Sequence, residues 1–165
     1  MRIVLAVLLL TSLASAETKT ITKTITKTIK DAKLAVTVPD DWKLAVVKDI
    51  GLTGASPDNQ VAVLAWSVDT VDAAAGQKKI EGELYSMIFS PKWDQPTTGT
   101  GHDLKITYLV GVGKAKSGDV TIHAAVVGPA ANKKGLLIAT VVRVDKYDAH
   151  KAEIDKILNS VQAAK

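Results

Sequence analysis

The sequence predicts an α+β domain: an antiparallel sheet of about six strands with two packed helices, in the order β-β-β-α-β-β-β-α. Three observations carry this. Short apolar, β-branched runs recur between clusters of Gly, Pro, Asn and Asp, which is how strands bounded by turns read. The last three runs are joined by brief Gly- and Lys-containing turns at residues 113–119 and 128–135, too short for anything but antiparallel neighbours. Two further segments space their apolar residues by three and four, the period of a helix face. Strands joined by tight turns, with helices set apart from them, build a sheet covered by helices rather than an alternating parallel fold.

Residues 1–16 read as an export signal that precedes the domain. Met1-Arg2 is a short positive start, Ile3 to Leu10 is apolar throughout, and Ser15-Ala16 closes a small-residue stretch. That order matches a cleavable secretory signal, with cleavage expected between Ala16 and Glu17. The uncharged run is shorter than the roughly 20 residues a spanning helix needs. With no cysteine in the chain, there is no thiol to lipidate at the cleavage point, and disulfides and thiolate metal sites are excluded as well. The expected location is periplasmic or secreted, as a soluble protein with no transmembrane segment after cleavage and not as a lipoprotein.

Residues 17–33 form a basic arm. Residues 18–29 are Thr-Lys-Thr-Ile three times over. Nine β-branched residues in twelve disfavour a helix. An extended arm puts all six threonines on one face and alternates Lys19, Ile21, Lys23, Ile25, Lys27 and Ile29 on the other. Three readings follow: a spacer, because three isoleucines offset little ordering entropy; an edge strand laid on the domain, with lysines protecting the edge; or a binding face of threonines and of Lys19, Lys23 and Lys27 for an extended anionic or glycan surface.

The single α+β domain is assigned to residues 34–165. Leu34, Val36 and Val38 alternate into the turn Pro39-Asp40-Asp41, and residues 43–48 read as the second strand. Residues 51–60, with two Gly, a Pro, an Asp and an Asn, read as a loop, and residues 61–68 as an apolar third strand. A helix is expected after Asp69 or Thr70, with Ile80, Leu84, Met87 and Ile88 on its buried face and Ser90-Pro91 as its end. Residues 91–103 read as a long loop carrying Trp93, His102 and Asp103. Strands follow at 104–112, 120–127 and 136–144, and a closing helix starts near Asp148, with Ile154, Ile157, Leu158 and Val161 as its stripe.

The segment from Leu34 through Pro39 to Trp42, the ending Ile157-Leu158-Asn159-Ser160-Val161 and the order of elements together resemble the PsbP-like superfamily over about residues 32–164. Many members carry Gly before the Trp, where this chain has Asp41. The resemblance implies an antiparallel sheet between helices and a binding or assembly role in place of an enzymatic one.

The formal net charge is +4. Five lysines against Glu17 and Asp31 place +3 of it in the arm, so the folded domain is close to neutral. Only Arg2 and Arg143 supply guanidinium groups, which argues against nucleic acid as a partner. No Gly-x-Ser-x-Gly elbow or phosphate-cradling loop occurs, and no catalytic residue or cofactor is assigned. His123 reads as a half-buried sheet residue and His150 as solvent-facing. His102 and Asp103 are the weak metal candidates, short of the three or four ligands zinc wants. Trp42 and Trp66 read as core; Trp93 is the candidate partner-binding residue. The expected function is a non-enzymatic accessory protein of the cell envelope whose partner is an envelope protein or surface. The alternative is a surface-binding protein acting through the arm.

Overall fold

The computed structural model describes residues 23–47, 51–85, 87–129 and 134–164. Among these the chain forms eleven strands and two α-helices: β1 (Thr24–Ile29), β2 (Leu34–Pro39), β3 (Lys43–Val47), β4 (Gly51–Ala55), β5 (Val61–Val68), α1 (Ala73–Leu84), β6 (Ile88–Trp93), β7 (Thr97–Gly101), β8 (Leu104–Ala115), β9 (Gly118–Gly128), β10 (Gly135–Arg143), α2 (Tyr147–Leu158) and β11 (Gln162–Ala163). The class is the α+β expected, with more than the six strands. A short 3-10 turn, Val144–Lys146, leads into α2.

All pairings are antiparallel. A large sheet has the order β3-β4-β5-β10-β9-β8-β6, with β7 also paired to β8. A small sheet has the order β1-β2-β11. The pleat of the large sheet sorts the core into two layers. Val61, Val63 and Ala65 of β5, with Leu136 and Ile138 of β10, face α2 and the small sheet, meeting Val36, Val38, Ile154 and Ile157. The alternate residues, including Trp66, Leu109, Val126 and Leu137, lie under α1 with Ile80 and Leu84.

Three expectations are corrected. The expected loop at residues 51–60 begins with strand β4, where Leu52 is fully buried opposite Ala65. Its Gly54 is a packing residue: a Cβ there would collide with Leu44 Cδ2 and lie 2.9 Å from the Lys43 carbonyl oxygen. The first helix starts at Ala73, with Asp72 capping the Ala75 amide at 3.0 Å, and stops at Leu84, so Met87 and Ile88 are not on its face. Ile88 is buried from strand β6 instead. The expected loop at residues 91–103 holds half of β6 and all of β7, which flank β8 along one edge. Pro91 sits where the β6 register shifts, between Phe89 and Lys92, the place in a strand that tolerates a missing donor.

The arm is partly strand. Ile25 pairs with Val38 and Ile29 with Leu34; Ile29 is buried and Ile25 packs on the same core. Thr24, Thr26 and Thr28 face solvent, and Thr26 Oγ1 meets Thr37 Oγ1 at 2.9 Å.

Candidate functional site

Helix α1 covers only part of its face of the large sheet. It packs where Gly76 approaches Leu109, Val126 and Leu137 of β8, β9 and β10. The register places two rows of residues beside it on the same face. Lys43, Ala55, Ala62 and Val141 run side by side across β3, β4, β5 and β10, and Ala45, Thr53, Leu64 and Ala139 form the next row. Most of these side chains are small, so the sheet there is sunken. The result is a groove of about 620 Å³, within the range of ligand pockets. Its wall is Leu84, Met87 and Ile88 at the end of α1 and the start of β6. Tyr85 and Met87 at that end are 76% and 52% exposed.

The rim is polar: Lys43, Asn59, Gln60, Ser117 and Arg143. Arg143 donates from Nε and Nη2 to the two carboxylate oxygens of Asp145, both at 2.9 Å, so its charge is already matched. The lining contains no His, Asp or Glu. It offers apolar surface with hydrogen-bonding edges, which suits binding.

On the opposite face, a smaller cleft of about 210 Å³ lies between α2 and β8–β9, lined by Tyr108, His123, Asp155 and Asn159 among others. Its polar groups bond one another. The Tyr108 hydroxyl donates to Asn159 Oδ1 at 2.7 Å, and Lys151 pairs with Asp155. His123 is half-buried, as expected; its Nε2 lies 3.1 Å from Thr121 Oγ1, and its ring stacks on Tyr147 with centroids 4.4 Å apart. Burial pushes its pKa below the ordinary histidine value.

His150 is not solvent-facing: its side chain is only 17% exposed. Nε2 lies 3.3 Å from Asp58 and Nδ1 3.5 Å from Glu153, whose other oxygen accepts from Trp42 Nε1 at 3.1 Å. Asp58 also accepts from the Ser56 hydroxyl and the Gln60 amide; the Ser56 bond is the main reason its carboxyl titrates below the ordinary value. The order is Ser–Asp–His, with serine on the carboxylate and not on the imidazole, so in this cluster the Ser56 hydroxyl has no imidazole to take its proton. It clasps the β4–β5 turn and Trp42 to α2.

No family model matches the sequence, and no curated protein does. Solved structures do match. The solution structure of cyanobacterial PsbP (CyanoP) from Synechocystis sp. PCC 6803 superposes with a TM-score of 0.64, covering 92% of this chain and 98% of that one at 10% identity. The fold is PsbP-like. The Saccharomyces cerevisiae Ran-binding protein Mog1p shares it, with a TM-score of 0.56, 12% identity and coverage of 87% and 97%. So does LpqN, involved in cell envelope biogenesis of Mycobacterium tuberculosis, with a TM-score of 0.54, 15% identity and coverage of 87% and 91%.

The PsbP-like frame disperses the residues singled out from the sequence. Trp93 is in strand β6 and not in a loop. Its indole lies over Gly111, whose Cβ would be 2.6 Å from the ring, and Nε1 donates to Glu81 of α1 at 2.7 Å. His102 and Asp103 both have positive φ, 52° and 61°, and form the two-residue turn between paired Gly101 and Leu104, the geometry of a primed hairpin turn. No group of three potential metal ligands gathers among the described residues. Trp42 and Trp66 are buried, as expected. Lys27 turns toward the domain beside the buried isoleucines, and the Lys23 carbonyl accepts from the Asp40 amide at 3.0 Å. Ala16, Glu17 and Lys19, with the whole signal segment, lie outside the described residues. No helix among the described residues is long and apolar enough to cross a membrane.

The groove residues were missed by sequence reasoning. The available signal was alanine at alternate positions of neighbouring strands: Ala45, Ala55 and Ala62. It becomes a surface only once the strand register is known.

Proposed function

We infer that this chain is an exported, non-enzymatic accessory protein of the cell envelope that holds another macromolecule in the groove beside α1. The observation that carries the reading is the groove itself: an open aliphatic floor on a sheet face half covered by its helix. Exposed Tyr85 and Met87 at its mouth are residue types that make productive protein contacts. The export signal read at residues 1–16 supports the location, and LpqN, which shares this fold, is involved in cell envelope biogenesis.

The test is site-specific photocrosslinking in envelope preparations, with the photoreactive residue at Thr53 in the groove or at Lys116 on a surface turn. A discrete adduct at Thr53 that is lost when Ala62→Phe fills the groove is the expected result. Equal adducts at both positions would remove the groove from the reading.

A second reading rests on the basic repeat that leads into β1, with Lys19 and Lys23 ahead of the strand, in which the arm contacts an extended surface. Mature protein lacking residues 17–23 keeps β1 whole. If the arm does the work, this truncation abolishes co-sedimentation with anionic vesicles while leaving the groove adduct intact.

A further inference from the structure

The hexad that pairs with strand β2 occurs twice in overlapping form in the sequence ahead of it. The strand that pairs with it, Thr24–Ile29, reads Thr-Ile-Thr-Lys-Thr-Ile. The six residues four places earlier, 20–25, read the same. A register is ordinarily fixed because a slip moves apolar residues to the wrong face or the wrong partner. Here a slip of one tetrad does neither.

The pairing shows how complete the equivalence is. In the observed register Thr24 faces Pro39, Ile25 faces Val38, Thr26 faces Thr37, Lys27 faces Val36, Thr28 faces Ala35 and Ile29 faces Leu34. After a slip of four, residues 20 to 25 meet the same partners in the same order. Ile21 and Ile25 would then fill the places of Ile25 and Ile29 against the core, and Thr22 would take the place of Thr26 beside Thr37. The next residue preserves the pattern too: the Asp40 amide donates to the Lys23 carbonyl, and Lys19 would supply it instead.

What distinguishes the registers lies in the connection. Residues 30–33 now make a tight turn, with the Lys33 amide bonded to the Lys30 carbonyl at 3.1 Å. Asp31 pairs with Lys134 at 2.7 Å, and Ala32 is buried. Slippage lengthens this connection to residues 26–33 and gives up the turn, the Asp31 pair and the burial of Ala32. An exposed ion pair contributes little, and closure entropy rises only logarithmically with loop length. The edge β1 occupies also has no strand on its far side among the described residues, so no further partner pins it.

The geometry points to a sliding strand: β2 is a docking edge for either of the two overlapping hexads, and the arm exchanges between them. One slip moves four residues, about 13 Å of strand at roughly 3.3 Å per residue, from the N-terminal side of β1 into the β1–β2 connection.

Cysteine trapping in the mature chain tests this, since the protein has no native thiol. Thr26→Cys with Thr37→Cys reports the observed register, because those hydroxyl groups already touch. Thr22→Cys with Thr37→Cys reports the shifted one. Thr24→Cys with Thr37→Cys is the control, since residue 24 faces Pro39 in one register and Ala35 in the other. Thr24 and Thr26 are solvent-facing in β1 and Thr37 is part-exposed in β2, and thermal melts confirm folding. The expected result is an intramolecular disulfide in the first two variants, at least tenfold faster in the second than in the control. A rate for the second no faster than the control, or a disulfide only between molecules, overturns the sliding strand.

Discussion

Gly76 and Gly82 occupy the same helix and predict opposite outcomes for the same substitution. Glycine in a helix interior costs about 1 kcal/mol relative to alanine. At Gly82 a Cβ would meet nothing within 4 Å, so Gly82→Ala should raise stability by roughly that amount. At Gly76 the Cβ would lie 2.5 Å from Val126 Cγ2 and 3.1 Å from Leu109 Cδ1, and overpacking of a closed core costs about 1–3 kcal/mol. The steric cost exceeds the propensity gain, so Gly76→Ala should destabilise. Urea midpoints at unchanged m-value measure both, and equal shifts of the same sign would contradict the packing of α1. His123 sets a second expectation at this scale. Its pKa is lowered in the fold by burial, so the unfolded chain takes up the proton first. The stabilisation is complete above the ordinary value of 6.5, and it declines as pH falls through 6.5 toward the folded value. The melting temperature should fall from pH 7.5 to pH 5, and His123→Gln should flatten that part of the profile. The Asp58 contribution has the lowered-carboxylate sign and is lost only in more acid solution, as pH falls from 3.8 through the folded value.

At the scale of elements, β1 is where pattern and context compete. Ile29 is 3% exposed against the core while Ile25 is only partly buried. With the register held by a Thr26→Cys–Thr37→Cys disulfide, Ile29→Ala should therefore cost about 2–4 kcal/mol and Ile25→Ala clearly less, measured by chemical denaturation; equal small effects would mean that β1 does not dock. The tetrad repeat made an edge strand one of three readable options, but the choice depended on Leu34, Val36 and Val38 presenting a matching face, a tertiary fact. Elsewhere legibility followed the strength of local pattern. The long apolar runs that became β5, β9 and β10 were placed to within a residue or two. β4 was hidden because its glycines look like turn residues, although Gly54 serves close packing against Leu44. β7 was hidden because Thr-Thr-Gly-Thr-Gly is exposed and carries no apolar alternation. The helix end was misplaced because Ile88 continues the spacing of Ile80 and Leu84 while belonging to a strand. His102-Asp103 looked like chemistry and is a turn, since both residue types tolerate positive φ better than most.

For the whole molecule, the decisive asymmetry is that one sheet face is covered by α2 and the small sheet, save for a small cleft, and the other is half open. Ala62 and Ala65 lie three residues apart on β5 and face opposite layers. Ala65 is fully buried against α2 and the small sheet, whereas Ala62 lies on the floor of the groove, partly exposed. Enlarging each side chain separates the two faces. Ala65→Phe has no space to enter and should unfold the domain or lower its stability by several kcal/mol, in line with overpacking. Ala62→Phe enters empty volume and covers Leu64 and Val141. At about 25 cal/mol per Å² of apolar surface removed from water, it should leave stability unchanged or raise it by about 1 kcal/mol. A folded Ala62→Phe protein that has lost its groove crosslink would then show that the open floor serves binding and is not a packing defect. If Ala62→Phe instead destabilised the fold as much as Ala65→Phe, the groove would be closed in solution, and the binding assignment would fall with it.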